Sequence, residues 1–136
     1  MRPILIDTNA YSAFKLGEKA ILEIIQIIEV IGISPIVLGE LLGGFEHENK
    51  SKKNREELST FLESSRIKIF PLTLDTANYY SHVYSSLKRK GQPIPTNDMW
   101  IAAQALENGC AICTYDKHFS AIDGLMIGNT ITELML

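Results

Sequence analysis

Five aspartates are spread through this 136-residue chain, and three of them stand where a carboxylate could do chemistry. Asp7 closes the apolar run Ile4-Leu5-Ile6, at the end of a predicted strand. A carboxylate there either helps to cap the helix that follows, which the helix dipole favours, or faces the crevice beyond the strand ends where open α/β sheets bind ligands. Asp116, in Thr114-Tyr115-Asp116-Lys117-His118-Phe119, follows a second buried run and carries the same two readings. Asp98 is more constrained. At about 100° per residue it shares a helix face with Ile101, Ala102 and Ala105, the side that a helix buries. A carboxylate buried without a partner costs several kcal/mol, so a cation or a hydrogen-bond network is expected to meet it. Asp123 precedes Gly124 and reads first as a turn residue and second as a metal ligand.

Glu40 has no such support from periodicity. In the helix predicted from Pro35, the residues Val37, Leu38, Leu41, Leu42 and Phe45 cover one side and Glu40 points roughly opposite, as a solvated glutamate would. Gly43 and Gly44 leave space beside it. Carboxylates are oxygen donors suited to hard divalent cations, and no His/Cys cluster competes with them. His47, His82 and His118 are scattered and read as polar surface or local packing residues. Cys110 and Cys113 form a C-x-x-C inside the apolar run Cys110-Ala111-Ile112-Cys113. Residues three apart on a strand point to opposite faces, and no second pair exists to complete a zinc site. Core packing is the expected role.

The elements that must position these groups alternate. Strands are predicted at 3–7, as a stub at 33–34, at 67–70, 110–114 and 125–127. Helices are predicted from Asn9 with Thr8 as N-cap, over 19–31 with the polar stripe Glu23, Gln26, Glu29, from Pro35 to about His47, and over 51–65. Two more span 75–90, with Tyr79, Tyr80, Val83 and Leu87 inward and Gly91 closing it, and 98–107, with Asn97 as N-cap and Gly109 beyond its end. Trp100 lies across this last helix from Asp98 and is assigned to core or oligomer packing rather than base stacking. Strands separated by helices imply right-handed crossovers and a mostly parallel sheet covered by helices on both faces.

Composition agrees with one α/β domain over residues 1–136. A hydrophobic fraction of 46% with 21% charged residues lies far from the disordered range. The longest apolar stretch, 20–33, is broken by Glu23, Gln26 and Glu29, too polar for a membrane span, and no signal peptide is recognisable at the start; a cytoplasmic protein is expected.

Four short segments in fixed order carry a resemblance that no single one would. They are Ile6-Asp7-Thr8-Asn9, Ser34-Pro35-Ile36-Val37-Leu38-Gly39-Glu40-Leu41, Asn97-Asp98-Met99-Trp100-Ile101-Ala102-Ala103-Gln104-Ala105, and Thr114-Tyr115-Asp116-Lys117-His118-Phe119. Together they resemble the PIN-domain ribonucleases, and within these the VapC-type toxins of toxin–antitoxin pairs. The resemblance implies a three-layer αβα PIN-like fold. It further implies that Asp7, Glu40, Asp98 and Asp116 converge on one or two Mg²⁺ or Mn²⁺ ions, supported by Asn9 and Thr114. The implied reaction is hydrolysis of RNA phosphodiesters by in-line attack of an activated water, leaving 5′-phosphate and 3′-hydroxyl ends. An RNA substrate, a cognate antitoxin and a homodimer are the partners it implies, with no membrane.

The net charge of −3 does not itself point to RNA. Were the four carboxylates neutralised at one site, the remainder would be mildly basic, with positive charge at Lys50, Lys52, Lys53 and Arg55 and again at Lys88, Arg89 and Lys90. These segments would either contact phosphates or form ordinary solvated helix faces. The competing class is a PIN-like protein-binding module with a silent metal site. Phosphotransfer fits less well, because a haloacid-dehalogenase pattern needs a second aspartate where Asn9 stands, and a receiver domain carries its acceptor on a middle strand.

Overall fold

The computed structural model describes residues 1–136. Five strands, β1 (Ile4–Ile6), β2 (Ile31–Ile33), β3 (Ile67–Ile69), β4 (Ala111–Cys113) and β5 (Ile127–Gly128), form one parallel sheet in the order β3-β2-β1-β4-β5. Every residue of β1, β2 and β4 is buried, so both faces of the central sheet are covered. This matches the expected three-layer arrangement and explains why these strands read as unbroken apolar runs rather than alternating ones. The edge strand β3 is half-buried to exposed.

Six helices flank the sheet: α1 (Thr8–Lys15), α2 (Lys19–Ile27), α3 (Pro35–Phe45), α4 (Ser51–Leu62), α5 (Leu74–Lys90) and α6 (Thr96–Asn108). A 3₁₀ turn covers Lys117–Ala121. The chain leaves β1 toward β2 on one side and returns to β4 on the other. The reversal of strand order therefore falls between β1 and β4, where a ligand crevice is expected beyond their carboxyl ends.

Several boundaries differ from the expected ones for identifiable reasons. Helix α2 stops at Ile27 rather than near residue 31, because Arg66 donates to the carbonyls of Ile25 and Ile28, both at 2.7 Å, and residues 31–33 pair with β1 and β3. Asp7, not Thr8, caps α1. Helix α6 starts at Thr96 after Pro95, so Asn97 lies inside the first turn instead of capping it. Tyr79 is exposed; the inward set of α5 is Thr76, Val83 and Leu87, with Tyr80 half-buried and stacked on Trp100 at 4.2 Å between ring centroids. That stacking gives Trp100 the packing role expected of it. Gly91 and Gly109 both adopt φ +65° and end α5 and α6, the left-handed C-terminal geometry that glycine accommodates without strain. Cys110 and Cys113 are free and buried, as core residues.

Candidate metal centre

The crevice at the β1/β4 switch is lined by all four carboxylates. Asp7, Glu40, Asp98 and Asp116 border one open cavity of about 910 Å³, together with Asn9, Glu18 and His118. Strand β1 delivers Asp7 at its carboxyl end, and β4 delivers Thr114 and then Asp116 in the same way. Helix α6 supplies Asp98 from its first turn, and α3 supplies Glu40.

Asp7 is the most enclosed, at 4% exposed. Its Oδ1 accepts from the Thr8 amide at 2.9 Å and its Oδ2 from the Thr114 hydroxyl at 2.7 Å. Asp7 thus caps α1 and borders the cavity at once. Burial pushes the Asp7 carboxyl above its ordinary range; the two hydrogen bonds oppose this, while the charges of Asp98 and Glu40 add to it. Asn9 buttresses the same corner: its Oδ1 accepts from the Tyr115 amide at 3.1 Å and from the Thr114 hydroxyl at 3.4 Å. Thr114 Oγ1 also accepts from the Asp116 amide at 3.0 Å. One hydroxyl therefore ties the ends of β1 and β4 and sets the turn that carries Asp116.

Asp98 meets the partner its buried face demanded, and that partner is His118. The side chain of Asp98 is 13% exposed, with its Oδ2 2.5 Å from His118 Nε2. The opposite ring nitrogen, Nδ1, lies 3.0 Å from Asp116 Oδ1. Burial raises the Asp98 carboxyl, the contact with His118 lowers it, and Asp116 and Glu40 raise it again. His118 thus borders the cavity and contacts two of its acids, contrary to its assignment as surface or packing. The local clue was its place two residues after Asp116, but its second partner lies 20 residues away in sequence. Asp116 makes no side-chain cap to the 3₁₀ turn that follows, so the capping alternative is not what the structure shows.

Glu40 is exposed, as periodicity indicates, yet the side of α3 that it occupies faces the cavity. The Thr8 hydroxyl, from the first turn of α1, donates to Glu40 Oε1 at 2.8 Å. Asp123 lies apart, exposed and paired with Lys90 at 2.6 Å.

Asp98, Asp116 and His118 each present a ligand atom within 4.8 Å of the others, while Asp7 and Glu40 complete the wall of the same cavity. Burial and mutual repulsion among the four acids both raise the Asp7 and Asp98 carboxyls. A divalent cation relieves that strain, and a predominantly oxygen donor set is the chemistry that hard cations require. The residues fit such an ion.

A family profile described as the PIN domain matches residues 4–125. The chain belongs to the PIN-domain family. Among PIN proteins it is similar to Ribonuclease VapC2 of Rickettsia felis, 34% identical over 79% of this chain and 80% of that one. Ribonuclease VapC1 of the same organism is 32% identical over 91% and 93%. In three dimensions this PIN domain resembles VapBC2 of Rickettsia felis, solved bound to a DNA fragment from their promoter, with TM-score 0.83 and 27% identity over 93% of this chain and 98% of that chain. It also resembles FitAcB of Neisseria gonorrhoeae, with TM-score 0.73 and 28% identity over 93% and 96%. These relatives place the chain in the VapC ribonuclease branch of the family. No helix is long and apolar enough to cross a membrane.

Proposed function

We propose that this PIN domain is a divalent-metal-dependent endoribonuclease that acts as the toxin of a toxin–antitoxin pair, with Asp7, Glu40, Asp98 and Asp116 as its acidic site. The observation that carries the reading is the convergence of these four side chains, from four separate elements, on the one cavity at the β1/β4 switch.

Each residue has a distinct task. Thr114 and the Thr8 amide hold both oxygens of Asp7 in a fixed orientation. Asp98 and Asp116 border the same cavity, with backbone positions set by α6 and by the Thr114–Asp116 turn. Glu40, exposed and accepting from the Thr8 hydroxyl, borders the same cavity. Bound Mg²⁺ or Mn²⁺ supplies positive charge that makes a water nucleophilic at neutral pH and stabilises the leaving oxygen. Without a cation, the acids repel the phosphodiester backbone; with their charge compensated, a phosphate can approach. A groove shares Ser12 and Leu16 with the cavity and runs on past Lys50 and Lys53 at the start of α4, basic groups that can hold flanking phosphates, although Glu48 and Glu57 also line it and Lys15 is paired with Glu57 at 2.5 Å.

A basic side chain from an antitoxin segment lying along the same groove would compensate the acids in place of a cation. Homodimerisation belongs to the same proposal and is read by light scattering after size exclusion. The deciding experiment is cleavage of end-labelled RNA with Mg²⁺, Mn²⁺ or EDTA, by the wild type, D7N and D98N. Metal-dependent products with 5′-phosphate and 3′-hydroxyl ends, lost in both variants, support the reading. Cleavage that persists in EDTA or in both variants overturns it. No cleavage and no metal binding would favour the protein-binding module with a silent site.

A further inference from the structure

His118 has no task in the reaction as described, although both of its ring nitrogens face carboxylates of the site. Building on the metal-dependent reading, we infer that His118 Nδ1 is itself a metal ligand beside Asp116, and that this nitrogen biases the site toward Mn²⁺ over Mg²⁺.

The spacing suits two ligands of one ion as well as a direct hydrogen bond, and Asp98, Asp116 and His118 each present a ligand atom within 4.8 Å of the others. Nδ1 lies 3.0 Å from Asp116 Oδ1. Adjacent vertices of an octahedron with bonds of about 2.1 Å lie about 3 Å apart. The other nitrogen, Nε2, is 2.5 Å from Asp98 Oδ2. A ligating histidine characteristically donates its second ring N–H to a carboxylate, which fixes the tautomer and the ring plane. Asp98 provides that contact through one oxygen, Oδ2. The backbone beneath the ring is anchored, because Phe119 is fully buried and its carbonyl accepts from the Ile122 amide at 3.1 Å. The ring is therefore held at the cavity wall by a fixed turn.

An all-oxygen set suits Mg²⁺, which is reluctant to leave water and oxygen ligands. An imidazole nitrogen raises the affinity of first-row transition ions relative to Mg²⁺. The opposing account is that the ring merely bridges two acids and gives way when a cation arrives. In that case its removal would leave metal affinity unchanged or tighter.

The test uses the full chain: separate calorimetric titrations with Mn²⁺ and Mg²⁺ of the wild type and H118Q, with pulsed EPR of the Mn²⁺ complexes. H118Q keeps hydrogen-bonding capacity but replaces the imidazole. H82Q, at an exposed position on α5 away from the cavity, controls for adventitious nitrogen signals. Expected are a loss of Mn²⁺ affinity of about 10-fold or more in H118Q, a loss of Mg²⁺ affinity under about 3-fold, and a nitrogen coupling present in the wild type and H82Q but absent in H118Q. An unchanged Mn²⁺/Mg²⁺ ratio, or tighter binding by H118Q, overturns the inference. If H118Q does not fold, the wild-type EPR spectrum decides alone, and a bound Mn²⁺ without nitrogen coupling overturns the inference while leaving the metal-dependent reading intact. A wild type that binds neither ion overturns both.

Discussion

Replacing Asp7 by Asn separates the cost of the site from its use. The carboxylate is 4% exposed, and burial raises its proton affinity in the folded state despite two hydrogen bonds. Asn can keep both contacts. Its Oδ1 accepts from the Thr8 amide, its amide group donates to Thr114 Oγ1, and the Thr114 hydroxyl proton turns to Asn9 Oδ1, already 3.4 Å away. The substitution thus removes a buried charge without orphaning a partner. In EDTA at neutral pH, D7N should be more stable than the wild type by about 1–2 kcal/mol, the scale of an incompletely compensated buried carboxylate. For a chain of this length each kcal/mol moves Tm by roughly 4 °C, so a rise of about 4–8 °C is expected. The pH dependence has a definite sign. A carboxyl whose folded pKa is raised stabilises the fold below the unfolded value, near 3.8, and that stability is lost as pH rises through the raised folded value. Metal-free wild type should therefore lose stability upward from about pH 4, more steeply than D7N. Adding Mg²⁺ at about 100 times its Kd should stabilise the wild type by about 2.7 kcal/mol and leave D7N largely unmoved. Differential scanning fluorimetry across pH, with EDTA and with Mg²⁺, reads all of this. A D7N protein less stable than wild type in EDTA, or equally responsive to Mg²⁺, would refute the reasoning.

Thr114→Val should remove the donor to Asp7 and the acceptor for the Asp116 amide, lowering stability by about 1–3 kcal/mol in chemical denaturation and weakening metal binding in calorimetry. Glu40→Gln should reduce cleavage less than Asp98→Asn, because Glu40 is exposed and its hydrogen bond from Thr8 survives in the amide; initial rates on one RNA compare them. Gly32→Ala should destabilise the sheet by about 1–3 kcal/mol, since a Cβ there would stand 2.2 Å from Phe70 Cε2; urea midpoints measure this.

How much of this was legible depended on whether the decisive contact was local. The runs Ile4-Leu5-Ile6 and Ala111-Ile112-Cys113 announce strands buried on both faces, and Gly91 and Gly109 announce helix ends, because each signal lies within a few residues of its effect. The buried face of Asp98 likewise demanded a partner from periodicity alone. The end of α2 was not legible, because Arg66, about 40 residues away, donates to the carbonyls of Ile25 and Ile28. Glu40 looked like a solvated residue since its neighbour Thr8 belongs to a different helix. His118 is not legible for the same reason: a scattered histidine meets two acids of the cavity only when α6 and the turn after β4 are brought together.

Anomalous scattering from a crystal soaked in Mn²⁺ tests the central claim most directly. The account predicts a peak within coordination distance of at least two of Asp7, Glu40, Asp98 and Asp116, absent from D98N crystals soaked in parallel. No peak in that cavity at saturating Mn²⁺, or a peak held by other residues, would contradict it.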